Sequence, residues 1–194
     1  MKGKYYCSSC HFGSRDIFAN MYFVEYVILV NRNDEKVGLS EKMNAHKKGL
    51  LHRAFSVFIF NKKGQMLLQQ RALSKYHCGG LWSNACCSHP RDKEELGKAS
   101  SRRLFEEMGL KTNLEEIFTF QYKVDLQNGL IENEIDHVLI GEITTDTTPA
   151  PNPEEVQALR WVSIESLQKE LAATPQKFTP WLLQALELVN RHQR

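Results

Sequence analysis

The chain has 194 residues, 42% of them hydrophobic and 25% charged, with a formal net charge of only +2. That length suits one domain with a well-formed core, and the near-neutral charge removes any general electrostatic case for a nucleic-acid partner. No apolar run reaches the roughly 18–20 residues that span a bilayer, so no membrane partner is expected.

The first twenty residues carry no continuous apolar segment of the secretory kind and share no pattern with the rest of the chain. They read as a flexible leader, with one domain over residues 21–194. Cys7-Ser8-Ser9-Cys10-His11 spells a c-type haem attachment, but its context is wrong for an exported cytochrome, so it is assigned no role. Five cysteines, Cys86 and Cys87 adjacent, do not make a disulfide framework. A reducing, cytoplasmic setting is the expectation.

A strand is predicted from Tyr22 to Val30, then a polar turn at Asn31–Asp34. The lysine-rich stretch from Leu39 to Leu51, which holds His46, reads as irregular. His52 opens a β-rich run to Phe60, and Asn61-Lys62-Lys63-Gly64 turns it into a second arm, Met66 to Gln70. Gly79 to Pro90 crowds two thiols and an imidazole between glycines and a proline, which reads as a shaped loop. A helix is predicted from Lys93 to Met108, capped by Asp92 and stopped by Gly109. Phe118 to Leu126 and Leu130 to Ile140 form a hairpin about Gln127-Asn128-Gly129. A last strand, Val156 to Val162, leads to a short helix capped by Ser163, and Thr179-Pro180 opens a terminal helix. Mostly antiparallel strands with three interspersed helices imply a mixed α/β (α+β) sandwich.

Period-two alternation puts Glu132, Glu134 and Asp136 on one strand face, where they repel unless a cation or solvent screens them. His46, His52 and His89 with Glu132 and Glu134 form a donor set for a divalent first-row metal: Mn²⁺, Mg²⁺ or Zn²⁺. On spacing alone, surface histidines and a solvated acidic face explain them as well. Glu106 and Glu107 oppose the helix dipole unless a cation such as Arg103 compensates. Lys42, Arg71, Lys75 and Arg103 suit a diphosphate jointly and are ordinary surface charges singly. His77 and Cys78 acquire no role.

Residues 102–110, Arg-Arg-Leu-Phe-Glu-Glu-Met-Gly-Leu, resemble the second half of the Nudix box, with Glu94 at its earlier glutamate. Arg103 replaces a glutamate that the hydrolases use to bind metal and activate water, which counts against the alternative, a Nudix nucleotide diphosphohydrolase. Arg71–Lys75, Trp82–Pro90, Glu132-Asn133-Glu134 and Phe178–Trp181 together resemble the type I isopentenyl-diphosphate delta-isomerases, a Nudix-like family, from about Phe23 to Arg191. The resemblance implies a Nudix-like mixed-sheet sandwich with flanking helices. It also implies a 1,3-allylic rearrangement through a tertiary carbocation, in a monomer or weak dimer. Cys87 and Glu134 would be the catalytic pair, assisted by Tyr122 and Trp181. His46, His52, His89, Glu132 and Glu134 would hold one divalent metal, and Glu107 a Mg²⁺ at the substrate diphosphate. Lys42, Arg71, Lys75, Ser88 and Arg103 would contact that diphosphate.

Overall fold

The computed structural model describes residues 24–144 and 147–192, so the expected leader with Cys7 and Cys10 lies outside the described residues. Among the described residues, nine strands form one mixed sheet: β1 (Tyr26–Val30), β2 (Lys36–Glu41), β3 (His52–Asn61), β4 (Gln65–Arg71), β5 (Trp82–Ser83), β6 (Cys86–Ser88), β7 (Glu115–Asp125), β8 (Ile131–Ile143) and β9 (Val156–Ser163). Four helices complete it: α1 (Lys42–Lys48), α2 (Leu96–Met108), α3 (Ile164–Ala173) and α4 (Pro180–His192). Strand β3 is the hub. It runs parallel to β8 along its length and meets β1, β6 and β4 in antiparallel pairs.

The period of two in β3 divides the core. Phe55, Val57 and Ile59 pack with Ala99, Leu104 and Met108 of α2, whereas Phe58 and Phe60 pack with residues of α3 and α4 such as Leu167, Leu182 and Leu186. The sheet is therefore covered on both faces, an α–β–α sandwich. Fully burying each large apolar side chain contributes about 1.5–3 kcal/mol.

Three local expectations change. The stretch read as irregular holds the end of β2 and all of α1, where the Glu41 side chain caps the backbone N–H groups of Met43 and Asn44. The predicted helix from Lys93 begins only at Leu96, because Lys93 takes a left-handed φ of 62° and the Asp92 side chain pairs with Lys36. Two short strands, β5 and β6, lie inside the expected loop, with β6 registered on β3. Gly109 does stop α2 in a left-handed conformation, φ 64°. Among the described residues, no helix is long and apolar enough to cross a membrane.

Candidate active site

The sheet face that buries Phe58, Phe60 and Val138 beneath α4 turns polar toward the start of β3. There it carries His52 and Ser56, with Glu132, Glu134 and Asp136 beside them on β8. Register brings the chemistry together. His52 lies opposite Glu134 in the parallel β3–β8 pair, Tyr122 opposite Glu134 in β7–β8, and Cys87 opposite Ser56 in β6–β3.

His46 and His52 are fully buried. Their Nδ1 atoms lie 2.7 Å from the Lys42 carbonyl and 2.8 Å from the Leu50 carbonyl. A carbonyl only accepts, so each Nδ1 carries a proton, leaving each Nε2 free to point a lone pair inward. His52 Nε2 then faces His89 Nε2 at 3.2 Å and Glu134 Oε1 at 3.3 Å, while His89 Nε2 is 3.0 Å from the same oxygen. His46 Nε2 and Glu132 Oε2 stand 3.2 Å apart, both buried and neither in a hydrogen bond. Lone pairs facing lone pairs require a cation. Protons would relieve these contacts one at a time, whereas the convergence of His46, His52, His89 and Glu134 within 4.8 Å fits one divalent ion. Glu132 joins a second grouping, with His46 and His77.

The three carboxylates on β8 are buried, so solvent does not screen them. Burial opposes the charge of Glu134, but a proton on His52 Nε2, one of the cations that relieve this contact, helped by the Tyr122 hydroxyl, holds its pKa below the ordinary value. Burial and the charge of Glu134 push Asp136 well above the ordinary carboxylate range, and its Oδ2 accepts from Ser56 at 2.8 Å. Tyr122 donates to Glu134 Oε2 at 2.5 Å.

Cys87 faces a different set. Trp181 Nε1–H donates to its sulfur at 3.2 Å, and the thiol donates to Asn84 Oδ1 at 3.0 Å. The Asn84 amide is oriented by its NH₂ group, which donates to the carbonyls of Val57 and Cys86, so only its oxygen is left for Cys87. Burial and nearby Asp136 push Cys87 up to about 12. At rest it is a thiol. The tilted rings of Tyr122 and Trp181, centroids 6.5 Å apart, join the Glu134 side to the Cys87 side.

A cationic rim surrounds this floor. Arg71 lies 5.8 Å from the Trp181 ring centroid, Lys75 pairs with Glu155, and Arg103 reaches Glu107 at 2.6 Å and Glu155 at 3.1 Å. Lys42 reaches Glu25 at 2.7 Å and sits over the Tyr76 ring. Arg102 and Arg103 also both contact Glu106, supplying the compensation that acidic residues at this helix end need.

The sequence matches the NUDIX domain over residues 50–182. It is 52% identical over 155 residues to the isopentenyl-diphosphate Delta-isomerase of Pectobacterium atrosepticum, covering 80% of this chain and 86% of that one. The chain belongs to the isopentenyl-diphosphate Delta-isomerase family. A family member from Photobacterium profundum is 49% identical over 174 residues, covering 87% of this chain and 96% of its own. The fold recurs in a crystal structure from Deinococcus radiodurans, TM-score 0.68 at 23% identity, covering 88% of this chain and all of that one. It recurs again in a MutT protein from Methanosarcina mazei, TM-score 0.60 at 19% identity, covering 74% and 96%.

All the site residues that the family resemblance implied, except His46, His52 and Glu107, line one cleft. The two histidines are buried in the metal grouping. Glu107 lies outside both groupings, with its oxygens facing Arg103 and Gln69. Sequence reasoning missed His77, Asn84, Ser56 and Glu155. The loop position of Asn84 was its one signal, and Glu155 arrives from a Pro-rich connection remote in sequence.

Proposed function

We propose that this protein interconverts isopentenyl and dimethylallyl diphosphate by protonation to a tertiary carbocation and deprotonation, in isoprenoid biosynthesis. One observation carries the reading: Cys87 is held by Trp181 and Glu134 by Tyr122, within one buried cleft under a cationic rim. The proton count closes. One member of the Cys87/Glu134 pair gives a proton to the terminal alkene carbon. The other takes one from the methylene that lies between the alkene and the diphosphate-bearing carbon. With Cys87 a thiol and Glu134 ionised, the resting pair holds one proton to give and one vacancy to receive it. The π face of Trp181 stabilises the intermediate cation by about 2 kcal/mol when desolvated, and burial of Trp181 and Tyr122 keeps water from it.

Lys42, Arg71, Lys75, Ser88 and Arg103 would bind the diphosphate. His46, His52, His89, Glu132 and Glu134 would hold Mn²⁺, Mg²⁺ or Zn²⁺, and Glu107 a Mg²⁺. Such ions supply fixed positive charge beside the Glu134 carboxylate and the substrate phosphates. A free, reduced Cys87 supports a cytoplasmic setting, and we place the protein there as a monomer or weak dimer.

The test is incubation of the purified protein with isopentenyl diphosphate and Mg²⁺, with and without chelator. Metal-dependent appearance of the allylic isomer is expected. Phosphate release from a nucleotide panel without isomerisation would instead favour a diphosphohydrolase.

A further inference from the structure

We propose that His77 is a positioning residue of the metal centre, holding Glu132 Oε1 so that Oε2 is turned toward His46. The two oxygens of Glu132 face two different imidazoles: Oε1 is 3.1 Å from His77 Nε2, and Oε2 is 3.2 Å from His46 Nε2. The His77 side chain is only 8% exposed and that of Glu132 3%, so water competes little for this contact. A carboxylate accepts and never donates, so the contact is favourable when the His77 nitrogen that faces it carries the hydrogen. A neutral imidazole then has a bare acceptor at Nδ1, and His77 Nδ1 is a buried atom without a partner.

His77 supports the centre from outside it. Its nitrogen, like the Glu132 oxygen, groups with His46 and not with the convergent set of His46, His52, His89 and Glu134, so it meets that set through His46 and Glu132. A ligand's second contact fixes which lone pair the ligand presents, and losing such a contact typically costs 10–100-fold in metal affinity.

The surrounding loop holds the ring in place. Arg71 donates to the His77 carbonyl at 3.3 Å, and the Gly80 N–H returns to the Arg71 carbonyl at 3.0 Å. The turn is tight enough that a Cβ on Gly79 would lie 2.7 Å from the Leu73 carbonyl oxygen. The His77 ring packs edge-on against Tyr76 and Trp181, with centroids 4.2 and 6.1 Å away. A loop that presents Arg71 and Lys75 to the diphosphate thereby also reaches the metal centre.

This inference deepens the metal-site part of the proposed function, and its test reads metal binding alone, so its failure leaves the isomerase assay untouched. Mn²⁺ affinity of the full chain is measured by chelator competition for wild type, His77→Ala and His77→Gln. The expected result is a 10–100-fold loss in His77→Ala, largely restored in His77→Gln, whose amide N–H still reaches Oε1. His77→Leu serves as the apolar variant if His77→Ala does not fold. Wild-type affinity in the apolar variant, or equal loss in His77→Gln, overturns the proposal. So does a pulsed-EPR count showing four imidazoles on Mn²⁺ in wild type and three in the variant, which would make His77 a direct ligand.

Discussion

Tyr122→Phe removes one oxygen from the site and leaves the ring stack on Phe120 and the neighbouring Trp181 in place. The lost hydroxyl is the partner of Glu134 Oε2 at 2.5 Å, whereas Oε1 faces His52 and His89. Both side chains are buried, Tyr122 at 7% and Glu134 at 6% exposure, so water does not readily replace the bond. A hydrogen bond to a charged group contributes about 1.5–3 kcal/mol. At 1.36 kcal/mol per tenfold, that corresponds to a loss of roughly 10- to 100-fold in kcat if the bond tightens as Glu134 changes protonation state. KM should hold, because the hydroxyl bonds to the carboxylate and not to the cationic rim. Steady-state kinetics on isopentenyl diphosphate decide it. An unchanged kcat with a raised KM would refute the reasoning, because it would place Tyr122 on the diphosphate.

Asn84→Ala leaves the Val57 and Cys86 carbonyls and the Cys87 thiol without their amide partner, which should destabilise the fold by about 2–4 kcal/mol; urea denaturation checks it. Glu155 gives an acid-side prediction. Burial opposes its charge, but Lys75 and then Arg103 bring its pKa from 4.5 to about 2 in the fold. A depressed carboxylate stabilises the fold above its unfolded pKa, and that contribution is lost as pH falls from about 4.5 toward 2. Partial exposure discounts it to about 1–2 kcal/mol. Glu155→Gln should therefore unfold more easily at pH 7, with the gap to wild type closing near pH 2 in denaturant titrations. Gly109→Ala puts a Cβ 2.8 Å from the Ala150 oxygen at a left-handed φ, so a loss of about 1–3 kcal/mol is expected in thermal melts.

The sequence was most legible where local chemistry decides the structure. The β3–β4 turn, the β7–β8 turn, the Ser163 cap and the Gly109 stop all stand as read. Helix α1 was invisible because it has seven residues, too few to display a period, and because Glu41 is an unusual cap. The parallel β3–β8 register was equally hidden, since it joins segments some eighty residues apart, yet it is what sets His52 opposite Glu134. Spacing therefore left the metal donors as one possibility among others, and the family resemblance named the catalytic pair. His77 had no signal at all: its meaning depends on how the loop after Arg71 folds back toward Glu132.

The most direct test of the proposed chemistry is isomerisation in D₂O with Mg²⁺ present, followed by proton NMR. Solvent deuterium in a methyl group of dimethylallyl diphosphate, with turnover abolished in Cys87→Ala and Glu134→Gln, is the predicted result. Allylic product free of deuterium, or full activity in both variants, would contradict a proton passed on and off by this pair.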